Sequence, residues 1–446
     1  MICTCFKPAC PAAFATVHPR PERWPRIAAG AQKHVFFTQQ KESTMLDQHT
    51  RQLVKATAPI LKQHGVTLTR HFYARMFQHN PELKQIFNQG HQQAGSQQQA
   101  LAMAVAAYAE HIDDPSVLAP VLTLVANKHA SLGIRAEHYP IVGGHLLASI
   151  REVLGDAASD ELIAAWAAAY GQLADILIAE ESRLYQQAAT QRGGWSGWRA
   201  FKVGRKVAES AEITSFYLQP ADGGALPDYL PGQYVSVRLA VPALGMMQPR
   251  QYSLSAAPGG TALRISVKRE GGSASTPAGM VSNVLHDTIE VGALLDLAPP
   301  MGDFFLHQER STPVVLISGG VGITPLLAML EQLLQQNSPR SIRFLHACRD
   351  GSVHAFRQHV ANLAAEYPQL HSAIYYEAPR AEDQPGVHYH HAGRITLTAE
   401  MIVADADYYL CGPLPFMQAQ QRSLLALGVD AARIHAEAFG TGGTAL

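Results

Sequence analysis

The chain has 446 residues, which is too long for one ordinary domain and suits two to four. Its 35 Lys and Arg against 36 Asp and Glu give a formal net charge of -1, so no basic surplus indicates a nucleic-acid partner. The most apolar stretch, around Ala100 to Ala109, is much shorter than the roughly 20 residues that a membrane-spanning helix needs, which argues against a transmembrane segment.

The first 44 residues differ from the rest of the chain. They are rich in Pro, lack helical or strand periodicity, and contain three of the five cysteines. We expect residues 1–44 to be disordered, or to precede the biological start at Met45. Five cysteines are too few for a disulfide framework, which favours a reducing, cytoplasmic location.

Residues 45–188 have the periodicity of helices. Apolar residues recur there at intervals of three and four in the segments Gln97–Ile112, Val117–Ala130 and Ile163–Leu177. Breakers such as Asn80-Pro81 separate the segments. This pattern predicts an all-α domain.

The period changes after a Gly-containing linker predicted at residues 189–195. Short alternating segments bounded by Gly and Pro predict an antiparallel β-barrel or sandwich over residues 196–307. Its predicted strands include Glu212–Leu218, Tyr234–Leu239, Leu263–Val267 and Asp287–Val291.

Residues 308–446 alternate apolar strands with helical stretches. The predicted strands are Val314–Ser318, Ile342–Ala347 and Tyr408–Cys411, and Pro325–Leu334 is a predicted helix. This alternation predicts an α/β domain with a parallel sheet. The expected order is therefore a helical domain, a β domain and an α/β domain.

Polar residues lie on the buried faces of the predicted helices. His129 follows Val125 by four residues, so its imidazole points toward the core, where a histidine hydrogen-bonded to a carbonyl is the simpler interpretation. Gln97 similarly extends a buried face and can be a packing residue. Glu180 and Glu181 straddle the third apolar stripe equally, so periodicity leaves open which of them, if either, reaches His129.

Four runs in this region resemble the globin domain of flavohaemoglobins, and the resemblance extends over Met45 to Leu446. The runs are His71–Phe77, Asn80–Phe87, Asn127–His129 and Val142–Leu147. The resemblance implies a haem b pocket with His129 as proximal ligand, Tyr73 and Gln97 as distal pair, Phe87 packed on the porphyrin, Tyr139 and Glu181 as proximal hydrogen-bonding pair, and Lys128 tuning the haem.

Three motifs in the β domain indicate a flavin site. In a strand, Arg250 and Tyr252 project to one face and Gln251 and Ser253 to the other, so one face offers a guanidinium for pyrophosphate and a ring to flank a flavin. This motif, with Pro231-Gly232-Gln233-Tyr234 before it and Gly279-Met280-Val281-Ser282-Asn283 after it, resembles the FAD-binding barrel of the ferredoxin-reductase group.

Three further motifs resemble the NAD(P)H domain of the same family. Gly319-Gly320-Val321-Gly322-Ile323-Thr324-Pro325 follows a buried strand and opens a helix, where glycines let the backbone approach a nucleotide. Tyr409-Leu410-Cys411-Gly412-Pro413 matches the nicotinamide-facing motif, although Cys411 can equally be a buried thiol. Glu437-Ala438-Phe439-Gly440 matches the segment whose aromatic covers the flavin; many members have Cys in place of Ala438.

The resemblance implies a cytoplasmic nitric oxide dioxygenase that passes NAD(P)H electrons through FAD to haem and converts NO and O2 to nitrate, with no obligate protein partner. An NAD(P)H-driven reductase of peroxides or other acceptors is one alternative. A haem-based O2 or NO sensor is another, although the sequence has no recognisable transmitter or DNA-binding segment. The choice between NADH and NADPH stays open, because only Arg349 follows the second α/β strand as a suggestive residue.

Overall fold

The computed structural model describes residues 46–272 and 277–439. The expectations for residues 1–44, Met45 and Gly440 lie outside the described residues. The described chain runs through a helical region, an antiparallel sheet and a parallel sheet, which confirms the predicted fold class and order.

The helical region begins at Gln48 and ends at Thr190. Its helices are α1 (Gln48–Ala56), α2 (Ala58–His79), α3 (Gln89–Ala94), α4 (Ser96–Glu110), α5 (Ala119–Leu132), α6 (His138–Leu154) and α7 (Asp160–Thr190). α5 begins two residues later than the apolar pattern suggests, because Pro115–Leu118 forms a 3-10 turn in which Asp114 accepts from the Ser116 amide. It ends at Gly133, whose φ of 78° only glycine adopts readily.

The helix α7 corrects one sequence inference. It has 31 residues, and an 18-residue window within it has a mean hydropathy of 1.5, so by length and composition it is apolar enough to cross a membrane, whereas the expectation rested on Ala100–Ala109 alone. The structure gives its apolar face another role: Trp166 and Ala169 are buried in the helical core beside Val54 and Tyr108. The helix begins at Ser159, whose hydroxyl caps the Leu162 amide.

The antiparallel sheet closes into a barrel. Its strands are β1 (Arg199–Ala208), β2 (Ile213–Pro220), β3 (Tyr234–Val241), β4 (Met246–Ser253), β5 (Leu263–Lys268) and β6 (Leu294–Leu297), in the order β4-β3-β6-β1-β2-β5. A bridge between Leu254 and Ile265 joins the two ends. The strand predicted at Asp287–Val291 is wrong: α8 (Met280–Thr288) occupies its start, and the turn at Gly292, with φ of 97°, delays the strand to β6.

The parallel sheet has helices on its faces. It contains β7 (Val314–Gly319), β8 (Ile342–Cys348), β9 (Leu370–Tyr376), β10 (His391–Ala392), β11 (Asp407–Gly412) and β12 (Ile434–Ala438), with α9 (Ile323–Gln335), α10 (Arg357–Glu366) and α11 (Leu414–Ala426). The strand order is β10-β9-β8-β7-β11-β12. The order reverses between β7 and β11, and the carboxyl ends of strands at such a switch point form a ligand crevice.

Candidate functional site

A buried hydrogen-bonded triad fixes the imidazole of His129. Nδ1 of His129, on α5, lies 2.8 Å from Oε1 of Glu181, on α7. The Tyr139 hydroxyl donates to the same oxygen at 2.5 Å and lies 3.2 Å from Nδ1. Glu181 is 2% exposed, whereas Glu180 pairs with Arg183 at 2.5 Å. The structure therefore directs Glu181, and not Glu180, toward His129.

The surroundings of Tyr139 keep its hydroxyl protonated. Burial and the neighbouring Glu181 charge raise the pKa of Tyr139 well above its usual value. Its backbone carbonyl accepts a hydrogen bond from the Tyr170 hydroxyl at 2.7 Å. Tyr139 thus acts as a fixed donor to Glu181, and Nδ1–H of His129 is the second donor.

The donor set around His129 fits an axial haem ligand. Among the described residues, Nε2 of His129 has no hydrogen-bond partner, and the side chain is 33% exposed. A carboxylate on Nδ1 selects the tautomer whose Nε2 lone pair can bind a metal. Oε2 of Glu181 is buried and has no partner in the described part of the chain. The contacts of this carboxylate with His129 and Tyr139 are therefore both made by Oε1.

The predicted distal residues lie near one another, with one residue between them that the sequence analysis missed. Tyr73 is 6% exposed, and its ring is 5.8 Å from that of Phe87. Gln92 hydrogen-bonds the Tyr73 hydroxyl and donates from Nε2 to Oε1 of Gln97 at 2.6 Å. Gln98 donates to Oε1 of Gln92 at 2.8 Å. Gln92 lies on α3, which at six residues is too short to carry a periodic signal.

Burial raises the pKa of Tyr73, and the hydrogen bond with Gln92 only partly opposes this. The hydroxyl is therefore protonated and available as a donor inside an aromatic pocket. Phe87 also packs edge-on against Phe77, with ring centroids 5.4 Å apart.

Lys128 lies where the three regions meet. Burial lowers the pKa of Lys128, while the charges of Glu437, on β12, and Asp303 oppose this shift. Burial and the charge of Asp303 raise the pKa of Glu437 to about 8. Nothing in the sequence indicated that either acid lies near Lys128, although Glu437 belongs to a predicted motif, because this proximity arises only from tertiary structure.

The strand β4 carries a half-buried cation, Arg250, for which the described residues supply no counter-ion. Burial lowers the pKa of Arg250, and in the described residues no carboxylate lies within 4.0 Å of its guanidinium. The neighbouring Tyr252 is half-buried, and burial raises its pKa. A buried guanidinium is stable when paired with an anion, so this position fits a pyrophosphate.

Tyr234 and α8 carry further predicted flavin contacts, and Tyr234 projects to the same face as its ladder partner Ser253, opposite to Arg250 and Tyr252. The Tyr234 hydroxyl is buried. Burial and the charge of Glu437 raise its pKa, and the neighbouring Ser131 side chain partly opposes this rise. Gly279 precedes α8, and a Cβ there would lie 2.6 Å from the Ser282 hydroxyl. Val281 is 1% exposed in the barrel core, so its backbone amide and not its side chain is suited to face phosphate.

Two predicted flavin residues, Gln251 and Ser253, make contacts with other parts of the protein. Gln251 donates from Nε2 to the Ser131 hydroxyl, on α5, at 2.9 Å. Ser253 is 6% exposed and pairs with Tyr234 in the β3–β4 ladder. The side chain of Gln251 thus faces the helical region.

The glycine motif occupies the switch point of the parallel sheet. Gly320, with φ of 54°, begins a 3-10 turn that leads into α9, and the Thr324 hydroxyl donates to the carbonyl of Val321 at 2.9 Å. A Cβ on Gly322 would lie 2.2 Å from the carbonyl oxygen of Cys411. Ile323, Thr324 and Pro325 form the first turn of α9.

The last two motifs lie at the ends of adjacent strands. Cys411 is fully buried between Ser318 of β7 and Glu437 of β12, and Gly412 pairs with Ala438. Phe439 follows β12 and is 45% exposed, which leaves its ring face accessible.

Comparisons with known proteins agree with this arrangement. The globin family model matches residues 70–177, and the oxidoreductase NAD-binding domain model matches residues 316–422. The chain is 66% identical over 405 residues to the flavohemoprotein of Bordetella parapertussis, covering 90% of this chain and 100% of that protein.

Solved structures are similar over the same residues. A flavohemoglobin from Malassezia yamatoensis with bound FAD and haem has a TM-score of 0.78 and 31% identity, covering 89% of this chain and 100% of that one. The FAD/NAD-binding domain of a nitric oxide dioxygenase from Vibrio cholerae is 46% identical, with a TM-score of 0.50, over 54% of this chain and 98% of that one. The chain therefore belongs to the flavohemoprotein family, as its sequence motifs predicted.

Proposed function

We propose that the protein is a nitric oxide dioxygenase that uses haem b, FAD and NAD(P)H. The observation that carries this proposal is the buried carboxylate of Glu181 on Nδ1 of His129, on the side of the imidazole away from Nε2. The relatives support it, because one of them contains FAD and haem and another is a domain of a nitric oxide dioxygenase. We also propose that it acts in the cytoplasm on small molecules without an obligate protein partner.

His129 is the proposed iron ligand, through Nε2. When bound, haem supplies an iron centre for O2 chemistry, and FAD divides a hydride from NAD(P)H into single electrons. Glu181 makes the imidazole more electron-donating by accepting from Nδ1–H, and Tyr139 holds that carboxylate in place. Electron donation of this kind favours oxygen activation over reversible storage. Lys128 is a proposed tuning residue beside this ligand.

Tyr73 is the proposed hydrogen-bond donor to the gas substrates. Its protonated hydroxyl lies in a pocket with Phe87, and Gln92 and Gln97 extend the hydrogen-bonded chain behind it. A fixed donor in a dry pocket stabilises developing negative charge on oxygen more than water does. Phe87 is proposed to pack on the porphyrin.

The remaining proposed roles belong to the reductase half. Arg250 pairs with the flavin pyrophosphate, and Tyr234 and Tyr252 flank the flavin. Further proposed cofactor contacts are Gln251, Ser253, Gly279, Val281, Ser282, Phe439 and Gly440 for FAD, and Gly320, Val321, Gly322, Ile323, Thr324, Pro325, Cys411 and Gly412 for NAD(P)H.

The proposed reaction converts two NO, two O2 and one NAD(P)H to two nitrate ions, NAD(P)+ and one proton. Anaerobic stopped-flow mixing with NADH tests the order of events: flavin absorbance should bleach first and haem should become ferrous next. Addition of O2 and NO should then yield nitrate. Purified protein that lacks haem or flavin absorption, or that turns over peroxide faster than NO, would contradict the proposal.

A further inference from the structure

We propose that Asn127 and Ser131 are positioning residues that tie the haem-ligand helix to the flavin barrel and so set the geometry of electron transfer between them. The inference rests on the proposed function, because it assumes haem at His129 and FAD at the barrel. Asn127 and Ser131 flank His129 at two residues on either side, so they lie one helical turn apart on one face of α5. We call their two contacts with the barrel the interdomain ties.

The first tie is a buried hydrogen bond to backbone. Oδ1 of Asn127 accepts from the amide of Gly302 at 3.0 Å, and its Nδ2 donates to the carbonyl of Thr123 at 2.9 Å. Asn127 is 5% exposed. Both ends of its amide are therefore used, and no smaller side chain can make both contacts.

Gly302 lies next to Met301, which connects the first tie to Tyr234 of the barrel. Its neighbour Met301 exchanges two backbone hydrogen bonds with Tyr234, both 2.9 Å long. Gly302 has φ of 123°, and a Cβ there would lie 3.1 Å from the Tyr234 ring. The Gly302 amide, which donates to Asn127, is therefore held beside Tyr234, a proposed flavin residue.

The second tie reaches the adjoining strand. Ser131 is fully buried; its hydroxyl donates to the carbonyl of Lys128 at 2.8 Å and accepts from Nε2 of Gln251 at 2.9 Å. Gln251 lies between Arg250 and Tyr252, so this contact holds the same strand that carries the proposed flavin residues.

The two ties fix the distance and orientation of α5 relative to the barrel. Electron transfer slows steeply as donor and acceptor separate, so a small rotation of α5 changes its rate. The proposed NAD(P)H contacts lie at the ends of β7 and β11 and not on α5, so we expect hydride transfer to the flavin to depend little on the position of α5. Loss of the ties should therefore slow haem reduction and spare flavin reduction.

The test uses the haem- and FAD-loaded full chain with the variants Asn127→Ala, Ser131→Ala and both together. Ser131→Thr, which keeps the acceptor oxygen, is the conservative variant. Thr123→Val is the matched control, because it changes a side chain on the same helix and keeps the carbonyl that Asn127 uses. Anaerobic stopped-flow gives separate rates for flavin and haem reduction, and hydrogen exchange reports the Gly302 amide.

We expect the double variant to reduce its haem at least about tenfold more slowly, with flavin reduction within about twofold of the parent. The Gly302 amide should exchange roughly fivefold faster in Asn127→Ala. Ser131→Thr and Thr123→Val should behave as the parent. If Asn127→Ala does not fold, Ser131→Ala, which removes one oxygen atom, still provides the measurement.

Two results would overturn the inference separately from the proposed function. Haem reduction in the double variant within about twofold of the parent would show that the ties do not set the transfer geometry. Unchanged Gly302 exchange in Asn127→Ala would show that the first tie is not formed. Parent protein whose flavin is reduced while its haem stays ferric would instead overturn the proposed function, and this inference with it.

Discussion

Glu181 and His129 form a carboxylate–imidazole pair in which the carboxylate is buried, with 2.8 Å between Oε1 and Nδ1. The carboxylate comes from α7 and the imidazole from α5, and the pair is 52 residues apart in sequence. Because Glu181 is 2% exposed, its charge acts on the imidazole through little intervening water. The pair therefore offers a direct test of the electron-donating ligand.

Glu181→Gln should slow NO turnover roughly 10- to 100-fold, because it keeps the shape but removes the charge that the imidazole faces. Haem content should stay close to that of the parent. NO consumption with a polarographic electrode, beside the Soret absorbance per mole of protein, gives both quantities. Glu180→Gln is the matched control: Glu180 pairs with Arg183 rather than with His129, so its loss of charge should leave turnover unchanged. Equal losses in the two variants would refute the role of Glu181.

Tyr73→Phe should lower turnover roughly 100-fold while haem retention stays near the parent value, because one fixed donor is lost from a buried pocket. Tyr108→Phe is a suitable control: Tyr108 is equally buried, but its hydroxyl donates to the carbonyl of Ala169 at 2.9 Å. That control should cost about 1 kcal/mol of stability and leave turnover intact. Steady-state NO consumption and thermal unfolding distinguish the two cases.

Periodicity predicted the elements whose burial repeats over several turns. α4 and α7 keep an apolar face against the helical core, and α5 packs Ala126 and Ala130 into a second cluster with α7, so each signal accumulates along its helix. The strand at Asp287–Val291 failed because five alternating residues carry little signal, and a tertiary contact placed a helix over its start.

Periodicity predicted that the imidazole of His129 points toward the core, but its role as a haem ligand came only from the resemblance to flavohaemoglobins and stays a prediction. Glu180 and Glu181 are adjacent and lie equally far from the stripe, so periodicity could not separate them. The resemblance favoured Glu181, and helix packing places Glu181 beside His129. Gln92 and Asp303 carry no local pattern, because their positions near Tyr73 and Lys128 come from folding of distant segments.

Arg250→Met should weaken FAD binding roughly 10- to 100-fold without destabilising the flavin-free protein, because the half-buried guanidinium lacks a counter-ion in the described residues. Titration of the flavin-free protein with FAD gives the Kd, and thermal unfolding of the same sample gives its stability. The matched control is Arg264→Met, whose arginine pairs with Glu331 at 2.9 Å. We expect that control to lose about 3 kcal/mol of stability. An Arg250 variant that binds FAD normally would contradict the assignment.

Gly322→Ala should raise the KM for NADH at least about tenfold and cost about 1 to 3 kcal/mol, because the new Cβ would lie 2.2 Å from the Cys411 carbonyl. The backbone of the loop must then move away from β11. Gly144→Ala is the contrasting variant: no atom lies within 4 Å of its Cβ position in α6, so it should stabilise the protein by about 0.5 to 1 kcal/mol. An unchanged KM in Gly322→Ala would indicate that NADH does not use this loop.

Asp407→Asn should destabilise the α/β region by about 3 kcal/mol near pH 7 and by less in acid. Asp407 is fully buried, and it accepts from the Thr312 hydroxyl at 2.5 Å and contacts Arg310 and Arg340. Burial acts to raise the pKa of Asp407, but the Thr312 hydrogen bond and the Arg310 charge outweigh it, so the pKa lies below its usual value of 3.8.

This pKa is lower in the folded chain than in the unfolded chain, so the ionised carboxylate stabilises the fold. The stabilisation is complete at pH values well above 3.8, and it is lost as the pH falls through the folded-state pKa. The gap between the parent and Asp407→Asn in urea unfolding should therefore be full at pH 7 and narrow below about pH 4. Asp405→Asn is the control, because Asp405 is 84% exposed and should change stability by under about 0.5 kcal/mol. A gap that stays constant across this range would mean that packing, and not the charge of Asp407, holds the start of β11.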